Sequence, residues 1–233
     1  MSSRLFACRM MVLYSPPYRP LKVGDLRPRR GKVQRLALVL LAACFAFGLA
    51  SQVEAQSQQT VETNTVRKSD RILGAPLLSK VKVERYARSV GCTPYITRAI
   101  PLYYRMAPRR NIRPEVLIAQ AILETGSGHY GGASRPWNMA GIKKGGATED
   151  RPEDFEVPKT AHEGVRMHIN HMAAYTGKRP IGKPHDRYYE ARAAQKSRGW
   201  WVRKVSELGN GIWATDPHYA GKIRRILDDM GKH

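Results

Sequence analysis

The sequence predicts a mainly helical α+β protein with one small β-hairpin lobe, and three observations carry that prediction. From Leu77 onward, apolar residues recur three or four apart in segment after segment. Helix starts and stops are marked by Thr-Pro, Asp-Pro and Thr-x-x-Glu signals and by glycines. One stretch breaks the pattern: apolar residues 138–143 and 155–157 bracket the polar, acidic, Gly-containing residues 144–154, where the strands are expected. There is no internal repeat and no low-complexity tract.

Taken in order, residues 1–55 read as an n-region and signal peptide. Lys32 and Arg35 precede the apolar residues 36–50, and Val53-Glu54-Ala55 offers small residues for a signal peptidase. The run is short for a bilayer-spanning helix, which needs roughly 20 residues. No stable membrane span is expected after cleavage. A competing pattern, Leu41-Ala42-Ala43-Cys44, fits lipid attachment at Cys44, although Phe45 to Leu49 stay apolar where an anchored chain turns polar. Either way the chain is exported, to the periplasm or the cell wall. Cys92 is then the single cysteine of the mature chain, which excludes an internal disulfide.

Residues 56–76 are polar and read as a flexible tether to a domain over 77–233. In that domain Val81, Tyr86 and Val90 predict a helix ending at Gly91. Thr93-Pro94 opens a second helix through Tyr103, with a kink or stop at Pro101. Pro114 opens the central helix. Thr160-Ala161-His162-Glu163 is a capping box for a helix with Val165, Ile169 and Met172 inward. His168 and His171 ride on that stripe as packing or hydrogen-bonding residues. Asp186 caps a short helix, residues 200–208 predict another with Val202, Val205 and Leu208 inward, and Asp216-Pro217 opens the last.

The formal charge is +21, and residues 1–55 hold only nine of the 40 Lys and Arg. Such a chain suits a polyanion, whether nucleic acid, anionic lipid or anionic wall polymer, and charge alone does not choose among them. There is no recognisable nucleic-acid motif, and an export signal argues against that partner.

The chemistry centres on residues 114–132, PEVLIAQAILETGSGHYGG. Leu117, Ala121 and Glu124 continue one face, and the glycines that follow free the backbone to bend around a ligand. A Glu sheltered by apolar side chains keeps its proton near neutral pH, as a general acid requires. A solvent-facing Glu in a last turn is the plainer alternative.

Three ordered motifs decide between these readings: Glu124-Thr125-Gly126-Ser127-Gly128, Trp137-Asn138-Met139-Ala140-Gly141-Ile142-Lys143 and Trp213-Ala214-Thr215-Asp216-Pro217-His218-Tyr219. Over residues 112–230 the chain resembles the glucosaminidase family of peptidoglycan hydrolases (glycoside hydrolase family 73, autolysins and flagellar muramidase domains). The resemblance implies a lysozyme-like fold, with Glu124 as catalytic acid and a second carboxylate in the β lobe. There Glu149 and Glu153 are the preferred candidates among Glu149, Asp150, Glu153, Asp154 and Glu156. If the substrate's own acetamido group attacks instead, Tyr219 would orient it. Tyr130, Trp137, Asn138 and Trp213 suit sugar binding by stacking and by hydrogen bonds to hydroxyls. Ser127 and Met139-Ala140 replace bulkier family residues, which implies a roomier floor beside Glu124.

What the resemblance implies is an endo-β-N-acetylglucosaminidase that cleaves the GlcNAc–MurNAc bond of peptidoglycan without metal or nucleotide cofactor. The rival readings are a muramidase or lytic transglycosylase on the other linkage, and a non-catalytic wall-binding protein of the same fold.

Overall fold

The computed structural model describes residues 52, 54, 56, 57, 69–131 and 135–233. The expected h-region, Cys44 and Ala55 lie outside them. Among the described residues no helix is long and apolar enough to cross a membrane.

Helix α1, Lys80–Ser89, starts where the Ser79 hydroxyl accepts from Lys82 N–H. Its buried face is Val83, Tyr86 and Ala87. Val81 and Val90, expected on the core stripe, are exposed. Residues 83, 86 and 87 share one side of a 3.6-residue helix, and 81 falls on the other. The second predicted helix is two pieces, α2 (Pro94–Thr97) and α3 (Ile100–Met106). The break precedes Pro101, which sits in the first turn of α3, where its missing N–H is not needed.

Helix α4, Pro114–Glu124, is the centre of the fold. Every residue from Pro114 to Ile122 is buried, against α3 on one side and the last helix on another. Shortening a core side chain such as Leu117 to Ala there costs about 2–5 kcal/mol. Helix α5, Ala161–Tyr175, begins at the predicted Thr160 cap, whose Oγ1 accepts from Glu163 N–H at 3.1 Å, but the expected reciprocal bond is shifted by one residue, Glu163 accepting from Lys159 N–H at 2.8 Å. Gly164 in its first turn lies against the Trp137 carbonyl, where any Cβ would collide. Helix α6, Asp186–Ser197, packs on α5. Helix α7, Tyr219–Gly231, buries Tyr219, Ile223, Leu227 and Met230.

Two expectations fail for one shared reason. Residues 200–208 form no α-helix, only the 3₁₀ turn Val205–Glu207, although Val202, Val205 and Leu208 are buried as expected. The end of the expected tether is packed: Ile72 is fully buried. The segments bond to each other, with Ile72 N–H donating to Arg203 O at 2.9 Å and Val205 N–H to Asp70 O at 2.7 Å. On its other side Ile72 O accepts from Arg113 N–H, also at 2.9 Å. The backbone groups that a local helix needs are spent across the chain.

The β-hairpin lobe is reduced to a single antiparallel bridge, Lys143 to Phe155. Lys144 N–H donates to Asp154 O and Glu156 N–H to Ile142 O, but residues 145–153 leave the ladder at once. Pro152 has no N–H to contribute and opens the 3₁₀ turn Pro152–Asp154.

Candidate active site

Glu124 is the last residue of α4 and is half-buried. The chain must turn sharply beyond it. Gly126 and Gly128 take left-handed backbone, and an added Cβ at Gly128 would collide with the Thr93 hydroxyl. That hydroxyl donates to Gly128 O at 2.9 Å and pins the loop to α2.

Two donors converge on Glu124 Oε1. The Tyr219 hydroxyl, from the first turn of α7, lies at 2.5 Å. The Trp213 indole Nε1–H lies at 3.3 Å. Gln120, one turn before Glu124 on the same face of α4, donates from Nε2 to the Tyr219 oxygen at 3.1 Å. Tyr219 is thus set by Gln120 and spends its one proton on the carboxyl. Burial raises the Glu124 pKa, and the Tyr219 and Trp213 donors offset part of the rise.

Among the described residues no cation opposes that rise. Behind Trp213 stand His168, His171 and Tyr175, with ring centroids 5.8, 5.0 and 5.1 Å from it. Burial holds both histidines neutral, His168 at about 3 and His171 well below its ordinary value. His168 Nδ1 lies 2.7 Å from the Tyr103 hydroxyl, and His171 Nδ1 lies 3.1 Å from His185 Nε2. The expected hydrogen-bonding histidines are there, and they form an uncharged wall.

A second cluster presents aromatic faces. Tyr95 meets Tyr130 and Trp137 edge-on, at 5.4 and 4.7 Å between centroids, and all three are partly exposed. Tyr130 and Trp137 both have positive φ, 49° and 64°, a conformation that bulky residues avoid and that concentrates at functional sites. The Tyr130 hydroxyl donates to Met139 Sδ at 3.5 Å. Met139 is fully buried, so it packs in the core instead of flooring an open groove.

Three expected site residues are placed differently. Asn138 is buried and its amide is engaged with backbone: Nδ2 donates to Ile142 O and Glu156 O, and Oδ1 accepts from Ile142 N–H. It clips the bridge together and has no donor left for a sugar. Glu149 and Glu153 are exposed, the latter 3.7 Å from Arg151. Neither touches the Glu124 cluster, because the short lobe leaves the turn that carries them in solvent. Glu156 is the lobe acid with distinctive surroundings. Burial is the largest cause raising its pKa, followed by the Asp186 carboxylate; Lys144 opposes and Glu163 adds. Glu156 lines a cavity of about 320 Å³ together with Met167, His185 and Asp186. Met167 belongs to a small apolar cluster with Ala140 and Ile142, and Trp213, which donates to Glu124, packs against that cluster.

Sequence reasoning missed Gln120 and Tyr95, and it named Glu156 among the lobe acids but ranked it below Glu149 and Glu153. Gln120 had a readable signal, a polar residue four before Glu124 in an otherwise apolar run. Tyr95 had none, and nothing local ranked Glu156 above the other lobe acids, since the neighbours of both are distant in sequence.

Comparison with family models matches residues 100–232 to the glucosaminidase family, described as mannosyl-glycoprotein endo-beta-N-acetylglucosaminidase. The chain belongs to the glucosaminidase family. No curated protein and no solved structure matched. The matched residues of this family member run from α3 to the end of α7, and so include Glu124, Trp213 and Tyr219.

Proposed function

We propose that the protein is an exported endo-β-N-acetylglucosaminidase that hydrolyses the GlcNAc–MurNAc bond of peptidoglycan, with Glu124 as general acid. The observation that carries this reading is a half-buried carboxyl with a raised pKa and two neutral donors but no cation on it. A carboxyl shifted in this direction holds its proton to higher pH than a free one, and that proton would go to the leaving glycosidic oxygen. The carboxylate left behind gains from the Tyr219 and Trp213 donors, since hydrogen bonds to a charged group are worth about 1.5–3 kcal/mol each. Tyr95, Tyr130 and Trp137 offer ring faces for sugar C–H surfaces.

The second carboxylate is assigned to Glu156 in place of Glu149 or Glu153, because partial burial and a cavity beside the Trp213 layer suit a water-activating group. Tyr219 is assigned to Glu124 and not to a substrate acetamido group, because its single proton is already committed. The basic n-region and apolar residues 36–50 support export.

Digestion of purified peptidoglycan followed by reducing-end analysis is the decisive experiment. Wild type is expected to release reducing GlcNAc, and Glu124→Gln to release none. Reducing MurNAc or anhydro-MurNAc ends would move the assignment to the other linkage. Unimpaired wall clearing by Glu124→Gln would remove Glu124 from the reaction.

A further inference from the structure

The other end of α4 carries a feature that hydrolysis at Glu124 does not use. Several residues of the segment that begins at Ser69, together with Asn111, Lys178 and further cations, line a cleft of about 960 Å³. Its charged lining is Arg71, Arg113, Lys178, Arg203 and Lys204. A second hollow of about 530 Å³ shares Asn111 and Lys178 with it and adds Arg109, Arg110 and Arg179. Neither lining contains a carboxylate or an aromatic side chain. Among the described residues these cations form no ion pair, apart from Arg113 with the buried Glu115 beneath the cleft.

A cluster of lysines and arginines is ordinary on a basic protein, but here one of them is built in. Arg113 is 1% exposed, and its Nη2, like the Oε2 of its ion-pair partner Glu115, is buried without a hydrogen-bond partner. The rest of its guanidinium is held rigidly: Nε donates to Glu115 at 2.9 Å, and Nη1 donates to Ser69 Oγ and Arg71 O, both at 2.9 Å. This fixed guanidinium, paired with Glu115, lines the cleft at the amino end of an 11-residue helix, whose dipole adds to the positive potential of the open cations above it.

We propose that this cleft binds the phosphodiesters of a linear, base-free anionic polymer such as a poly(glycerol phosphate), holding the enzyme on its wall by a site separate from Glu124. Six of the eight cations are arginines, whose planar forks match phosphate oxygens. Two adjoining hollows suit successive charges along a chain better than a single small anion. The lack of any aromatic platform disfavours a single-stranded nucleic acid, whose bases stack on such rings. Eleven residues at 1.5 Å each put the cleft about 16 Å from Glu124 along the helix, so polymer and glycan can be held together. The binding claim stands whether or not Glu124 is the acid.

The test uses the full chain, a fluorescent poly(glycerol phosphate) oligomer, and two variants of equal charge loss. One is Arg71→Gln/Lys178→Gln/Lys204→Gln in the cleft. The other is Arg98→Gln/Arg105→Gln/Arg225→Gln on exposed surface elsewhere. The cleft variant is expected to raise Kd about tenfold or more and to flatten the slope of log K against log salt by about two. The surface variant is expected to change Kd less than about threefold, and Glu124→Gln to bind as wild type. Equal losses in both triple variants would overturn the site, leaving only net charge. Tighter binding of oligodeoxythymidylate, of polyglutamate of matched charge, or of phosphatidylglycerol vesicles would overturn the ligand class.

Discussion

Helix α4 carries one carboxylate near each end, and their surroundings are opposite. Glu115 is fully buried, yet it has Arg113 Nε at 2.9 Å and accepts from Leu77 N–H at 2.8 Å. Glu124 is less buried, and among the described residues its hydrogen-bond partners are the neutral donors of Tyr219 and Trp213, with a wall of uncharged histidines behind Trp213. The raised pKa of Glu124 thus goes with the lack of a cation among the described residues more than with depth of burial. Burial with a cation yields a structural ion pair; partial burial without one yields an acid.

The comparison breaks most sharply at Glu124 itself. Glu124→Gln is expected to lower kcat by about 10²–10⁴ while leaving the melting temperature unchanged or higher, read by muropeptide release and calorimetry. The stability sign follows from the raised pKa. The neutral carboxyl is favoured in the fold, so its contribution is complete at low pH and is lost as pH rises through the folded value. Removing the ionisable group therefore costs no stability above that pH.

Glu115→Gln should do the reverse. It strands a buried guanidinium and is expected to destabilise the fold by about 3–5 kcal/mol, with turnover per folded molecule retained. Urea unfolding beside single-turnover rates separates the two effects. Equal loss of activity in the Glu115 and Glu124 variants would erase the distinction drawn here.

A smaller effect should follow at the donors. Tyr219→Phe and Trp213→Phe each remove a bond that lowers the Glu124 pKa, so that pKa should climb further. Activity that needs the protonated acid falls as pH rises through this value. In both variants the alkaline limb of kcat against pH should therefore move to higher pH, with more modest losses of rate than for Glu124→Gln. A limb that moves to lower pH would contradict the role given to these donors.

The lobe offers the finest test. Glu156→Gln is expected to slow hydrolysis well beyond Glu149→Gln or Glu153→Gln, which should stay within about twofold of wild type, as exposed surface changes usually do. A Glu153 variant as damaged as that of Glu156 would return the second carboxylate to the turn.

Local rules made a good part of this molecule legible. The Thr160 capping box, Pro114 at the head of α4, the glycines behind Glu124 and the Asp216-Pro217 entry to α7 act within a turn or two, so four or five residues determine them. Glu124 was legible for the same reason, as the carboxylate closing an apolar helix before flexible backbone. Tertiary structure alone decided what local spacing does not encode. It placed residues 70–72 between 203–205 and 113, which turned an expected tether and an expected helix into partners. It buried the Asn138 amide in the bridge and left Glu149 and Glu153 in solvent. It also brought Trp213 and Tyr219 onto one carboxyl, with Gln120 behind Tyr219, and gathered Arg113 with distant basic residues around one cleft, across up to about a hundred residues of chain. Hydrogen bonds and desolvation act through space, and a pattern read along the chain registers them only when the partners are neighbours in sequence.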